Sequence, residues 1–184
     1  MDFEFVIKKL LSGFKEHDIR CAVIGGYAMG LWGTARATNH LDFYVVRDDV
    51  EKLHLLMTSL NYKRIFFSEN VSQYQGEVFP VWGYVDFLHA FRPLGLRAIA
   101  DAVETAVFED KLKIKIVRPE DIIGLKLQAL HNSEPGERDK DLIDIKALAK
   151  ANRNSLDWNR VEEYYKLFKR EADYRSLREE LHVQ

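Results

Sequence analysis

Apolar residues recur at helical spacing over residues 2–17, where Phe3, Val6, Ile7, Leu10, Leu11 and Phe14 predict one amphipathic helix. The next run, "RCAVIGG", reads as a short buried strand over about Cys21–Ile24 that leads into two glycines. A helix is predicted around Tyr27–Trp32, followed by a loop over Gly33–Asn39. "HLDFYVV" is the next strand. Its alternation puts Leu41, Phe43 and Val45 on one face and His40, Asp42 and Tyr44 on the other. "DDVEKLHLLMTSLNY" predicts a helix whose first-turn acids suit the helix dipole.

The pattern then changes twice. "KRIFFS", "SQYQGEVF" and "VWGYVDFLHAF" are rich in aromatic and branched residues, and "DKLKIKIV" alternates strictly, so all four predict strands. From Pro119 onward only helical spacing remains. "EDIIGLKLQALH", "RDKDLIDIKALAKA", "LDWNRVEEYYKLFKR" and "DYRSLREELHV" predict four helices, with a break at Pro135-Gly136. The expected fold class is therefore α+β. A mixed β-sheet flanked by helices occupies residues 1–117, and a C-terminal helical lobe packed against it occupies 118–184. The join is too short for a flexible linker.

Composition narrows the function without choosing it. The chain has 184 residues, 47% hydrophobic and 30% charged, as in ordinary soluble proteins. A net charge of −2 supplies no global basic field for nucleic acid. Cys21 is the single cysteine, which excludes an intrachain disulfide and fits a reducing compartment. The opening residues lack a long apolar segment of the signal-peptide kind, and no apolar run is long enough to span a membrane. The expected location is the cytoplasm.

Candidate chemistry gathers around the Gly25–Val46 stretch. Gly25 and Gly26 lie where a backbone can approach a phosphate, with a plain tight turn as the alternative. Asp42 sits on an apolar strand, where it can cap, pair with Arg36 or face water. Asp86, in "GYVDFLHAF", has the same setting on a second strand, and two such acids can converge on one divalent cation. Arg36 and Thr38 occupy the loop between the glycines and the strand. A guanidinium beside phosphate binds it bidentately; a surface position is the alternative.

The order of these pieces resembles the nucleotidyltransferase superfamily related to DNA polymerase beta, and most of all its AbiEii-type group, whose members often act as toxins in toxin–antitoxin systems. The pieces are "VIGGYAMGLWG", "RATNHLDFYVV" and "YVDFLHAF", continued by "RPEDIIGLKLQAL" and "RDKDLIDIKAL". The resemblance covers about residues 18–150. It implies transfer of a nucleoside monophosphate from an NTP to an acceptor hydroxyl with Mg²⁺ or Mn²⁺. Catalytic roles fall on Asp42, Asp86, Lys126 and Asp141, with Asp144 as a neighbouring candidate. Nucleotide contacts fall on Gly25, Gly26, Arg36, Thr38 and Lys126, and metal binding on Asp42, Asp86 and His40. The implied partners are the NTP, an unidentified acceptor, with RNA such as tRNA among the candidates, and an antitoxin protein.

One position departs from the group. Its first strand carries Asp-x-Asp; here the first acid is His40 and only Asp42 remains. Mg²⁺ prefers oxygen donors, whereas imidazole suits softer ions. Three readings follow: an active transferase using His40 toward an ion such as Mn²⁺, a catalytically impaired nucleotide- or partner-binding protein, or a family member altered at this residue. A charged imidazole would instead pair with phosphate or with Asp42.

Overall fold

The computed structural model describes residues 1–35, 37–78, 81–132 and 138–183. They form two compact units, one of residues 1–28 and 37–117, the other of residues 29–36 and 118–184.

The first unit is built on a seven-stranded mixed sheet. In chain order its strands are β1 (Cys21–Ile24), β2 (His40–Val46), β3 (Tyr62–Phe67), β4 (Val71–Gly76), β5 (Tyr84–Ala90), β6 (Val103–Val107) and β7 (Leu112–Ile116), arranged β3-β4-β5-β2-β1-β7-β6. The central pair β2 and β5 is parallel, with Asp42 directly beside Asp86 and His40 beside Tyr84. One face of the sheet is the core. Leu41, Phe43 and Val45 of β2 lie there with Val85 and Phe87 of β5 and Tyr74 of β4, all buried. Helix α1 (Phe3–Glu16) buries Val6, Ile7, Leu10 and Phe14 as its spacing predicts. Phe14 meets Phe43 and Phe87 edge-on, with ring centroids 5.3 and 6.3 Å away. On the opposite face Tyr44 is covered by Gly95 of α4 (Pro93–Ala100), where any Cβ would overlap the Tyr44 ring. His40 and Asp42, at the start of the same strand, are only half buried.

Three local expectations need correction. The helix after β1, α2 (Gly25–Leu31), begins at the glycines themselves instead of after them. The acids Asp48 and Asp49 do not open the following helix. They lie in a single 3₁₀ turn (Arg47–Asp49), and α3 starts at Val50. Asp49 is buried and accepts hydrogen bonds from the Arg20 backbone N–H (3.0 Å) and Nε (2.8 Å), so a tertiary partner claims it. Finally, α4 and β6 were not legible. Both are short, and β6 acquires its pattern only by pairing antiparallel with β7.

A buried histidine gives this unit an acid-sensitive point. His89 of β5 lies beside Ser72 Oγ (3.0 Å from Nε2) and the Glu69 carbonyl (3.0 Å from Nδ1). Nδ1–H donates to the carbonyl, so the Ser72 hydroxyl donates to Nε2 of a neutral ring. Burial holds the imidazole below its ordinary range against the pull of the Glu69 carbonyl, and the Arg47 charge adds to the lowering. An unfolded histidine takes its proton near pH ~6.5. The folded state resists that proton, so the stability contributed by this group is full above that pH and is lost as pH falls below it. Melting temperature should therefore drop with acidification through this window, and the drop should be shallower in His89→Gln, measured by thermal melts at several pH values. Equal slopes for the two proteins would remove His89 as the cause.

The second unit is helical. Its helices are α5 (Pro119–Asn132), α6 (Arg138–Asn152), α7 (Trp158–Leu167) and α8 (Glu171–Glu180). Two acids at the start of α5 tie it to α7. Asp121, fully buried, accepts from Arg160 Nε and Nη2, both at 2.7 Å, and from the Tyr164 hydroxyl at 2.6 Å. Glu120 Oε1 accepts the Asp157 backbone N–H at 2.8 Å, and the Asp157 side chain in turn caps α7. Gly124 lies under the Tyr164 ring, where a Cβ would collide with it.

Candidate active site

The central strands bring together three sequence-predicted residues of the first unit. His40, Asp42 and Asp86 each offer a ligand atom, and those atoms lie within 4.8 Å of one another. The sheet explains the grouping. Residues 40 and 42 share one face of β2, and the in-register parallel neighbour β5 sets Asp86 beside Asp42. His40 Nε2 is 3.3 Å from Asp42 Oδ1, and His40 Nδ1 is 3.0 Å from Asn39 Oδ1.

Adjacent carboxylates repel, so this arrangement favours a cation between them. Burial raises the Asp86 carboxyl above the usual carboxylate range; a hydrogen bond from Gln73 opposes this, and the nearby Asp42 charge adds to it. The Gln73 Nε2–H donates to Asp86 Oδ2 at 3.0 Å and fixes its orientation. Sequence reading missed Gln73. Its only signal is alternation within "SQYQG"; the pairing of Gln73 with Asp86 across β4 and β5 reveals its role.

Gly25 meets two demands at once. Its φ is +65°, and a Cβ would overlap the Asp42 carboxylate, so only glycine lets β1 turn into α2 beside this acid. A Cβ on Gly26 would lie 2.9 Å from Thr38 Cβ. The Thr38 hydroxyl donates to the His40 carbonyl at 3.0 Å and so anchors the start of β2. Arg36 lies outside the described residues.

Lys126 and Asp141 belong to the helical unit. Lys126 Nζ donates to Asp141 Oδ1 and to Asp144 Oδ2, each at 2.7 Å. The spacing of α6 puts the two carboxylates one turn apart on one face, and the ammonium of α5 is shared between them. By itself this cluster carries one positive and two negative charges.

The fold is that of the nucleotidyltransferases. The chain superposes on the antibiotic-resistance factor ANT(2'')-Ia with a TM-score of 0.64 at 18% identity, covering 99% of both chains. For an antigenic nucleotidyltransferase-like protein from Paracoccidioides brasiliensis the TM-score is 0.58 at 16% identity, covering 96% of this chain and 91% of that one. For the lincosamide antibiotic adenylyltransferase LnuA, solved with lincomycin bound, it is 0.51 at 16% identity, covering 79% and 95%. The profile of the family described as nucleotidyl transferase AbiEii toxin, type IV TA system, matches residues 85–183, more than half of the chain, and the protein belongs to that family. No curated protein sequence matches it. The family match includes Asp86, Lys126, Asp141 and Asp144 and begins after Gly25, His40 and Asp42, whose placement here rests on the sheet geometry. Among the described residues no helix is long and apolar enough to cross a membrane.

Proposed function

We propose that this chain transfers a nucleoside monophosphate from an NTP to an acceptor hydroxyl and acts as the toxin of a toxin–antitoxin pair. The observation that carries the reading is the convergence of Asp42, Asp86 and His40 at the mouth of a nucleotidyltransferase sheet. Two adjacent carboxylates, with the space beside Asp42 kept clear by Gly25, fit a divalent cation. When bound, such an ion neutralises triphosphate charge and lowers the pKa of the attacking hydroxyl.

In the reaction the acceptor hydroxyl oxygen forms a bond to the α-phosphorus and gives up its proton to solvent, the α–β phosphoanhydride bond breaks, and pyrophosphate leaves. Asp42 and Asp86 hold the cation site, and Gln73 keeps the Asp86 carboxylate turned toward it. Gly25, Gly26, Arg36 and Thr38 are proposed for the phosphates on the strength of the family resemblance. Lys126 and Asp141 are proposed as nucleotide-facing residues on the same basis, with Asp141 and Asp144 orienting the lysine. Toxin activity is supported by family membership.

A second reading is favoured by one observation. The His40 Nε2 lies 3.3 Å from Asp42, where a protonated ring would replace the cation and leave a nucleotide- or partner-binding protein without catalysis. The deciding experiment incubates the purified protein with each α-labelled NTP in Mg²⁺ and in Mn²⁺. Separate arms supply total RNA and hydroxyl-bearing antibiotics as acceptors. Label on any acceptor supports transfer; nucleotide binding without label in every arm supports the second reading. Growth arrest on expression, relieved by a neighbouring antitoxin gene, tests the toxin role.

A further inference from the structure

We propose that the site selects a first-row transition ion over Mg²⁺, with His40 Nε2 as a ligand beside Asp42 and Asp86. This deepens the metal assignment of the preceding reading, but ion binding is measured without nucleotide or turnover, so the two can fail separately.

His40 Nδ1 lies 3.0 Å from Asn39 Oδ1, an acceptor, so Nδ1 carries the hydrogen and donates it. In the neutral ring that leaves the Nε2 lone pair facing Asp42 Oδ1 at 3.3 Å, whereas in the protonated ring Nε2–H donates to that oxygen. A lone pair and a carboxylate oxygen do not face each other stably without a cation between them. A hydrogen bond that fixes the far ring nitrogen is also the usual support of a metal-bound histidine, since it orients the ring and raises its basicity.

The spacing fits coordination. First-row ions bind imidazole nitrogen and carboxylate oxygen at about 2.0–2.2 Å. Two donors at that radius and 3.3 Å apart subtend an angle of roughly 100°, between the octahedral and tetrahedral values. Asp86 supplies the third donor from β5, with its carboxylate oriented by Gln73.

Donor chemistry then sets the preference. Mg²⁺ is held chiefly by charge through oxygen donors and dehydrates reluctantly. A neutral imidazole in place of a carboxylate removes one negative charge and offers nitrogen, which Mg²⁺ uses poorly. Mn²⁺, Co²⁺ and Zn²⁺ accept mixed nitrogen and oxygen sets. The substitution at residue 40 thus weakens the hard ion most.

The test uses the intact, chelator-stripped protein. Mn²⁺ binding is followed by the electron paramagnetic resonance of free Mn²⁺, Zn²⁺ and Mg²⁺ by competition, and Co²⁺ by its visible absorption bands. Mn²⁺ and Zn²⁺ should bind at least about tenfold more tightly than Mg²⁺. His40→Ala should lose about tenfold or more for Zn²⁺ while Mg²⁺ changes little, and the Co²⁺ bands should shift. Asn39→Ala, which leaves the ligands in place, should weaken Zn²⁺ by about tenfold. His40→Asp should narrow the preference by raising Mg²⁺ affinity. Circular dichroism of each variant confirms folding. Equal Mg²⁺ and Mn²⁺ affinities, no binding of any of these ions, or unchanged Zn²⁺ affinity and Co²⁺ bands in folded His40→Ala would each overturn the assignment. In the no-binding case, a proton rather than a metal occupies the gap.

Discussion

Asp86→Asn should abolish nucleotide transfer, lowering the rate by about a thousandfold or more, while raising the melting temperature of the metal-free protein. The two effects share one cause. Asp86 is half buried beside Asp42, and burial raises its carboxyl above the usual range, so an ionised Asp86 costs stability at neutral pH. Asparagine removes the charge but keeps an oxygen that can accept the Gln73 amide. The folded protein is relieved of repulsion and loses a cation donor in the same step. A divalent ion added to the parent should likewise raise its melting temperature, because it binds only the folded arrangement, and that rise should shrink in the variant. Scanning calorimetry with and without metal, paired with label transfer, checks both halves. A variant that melts no higher than the parent would show that Asp86 is not strained, and one that still transfers label would remove it from the site.

Asp121→Ala should destabilise the helical unit by about 3–5 kcal/mol, the usual cost of removing one partner from a buried ion pair. The carboxylate is completely buried, and it takes the Arg160 guanidinium through two bonds and the Tyr164 hydroxyl through a third. Its loss leaves the Arg160 side chain, itself only 11% exposed, without its bidentate partner. In a chain of this size each kcal/mol is worth about 2–4 °C, so the transition should fall by roughly 6–20 °C. Asp121→Asn, which keeps an acceptor but not the charge, should lie between. Urea unfolding followed by circular dichroism measures the difference; a loss under about 1 kcal/mol would mean that the Asp121 ion pair contributes little to holding α5 to α7.

Most of the regular elements were legible because each carries its own period. Phe3 to Phe14 repeat at helical spacing and bury the expected stripe, and the alternation of "HLDFYVV" sends Leu41, Phe43 and Val45 to the core. The short α4 and β6 carried too few periods to register. The acids of the candidate site stood out for a related reason: a carboxylate on an otherwise apolar strand contradicts its surroundings, which marks Asp42 and Asp86. The departure at His40 was also visible in sequence, by its spacing from the glycines.

The local content is therefore written along the chain: helix and strand type, the inward faces, and the unusual polar residues on them. Which of those residues meet is set by how the strands and helices pair. The parallel register of β2 and β5 sets Asp42 beside Asp86, and the pairing of β4 with β5 brings Gln73 to the same carboxylate. Asp49 reads as a favourable charge near a helix start and Asp121 as one polar position of a helix, yet each is buried on an arginine far away in sequence, Arg20 and Arg160. The physical reason is common to all of them. A periodic pattern is a property of neighbours along the chain, whereas register and ion pairing depend on distances between segments, and a lone carboxylate carries no mark of the partner that will neutralise it.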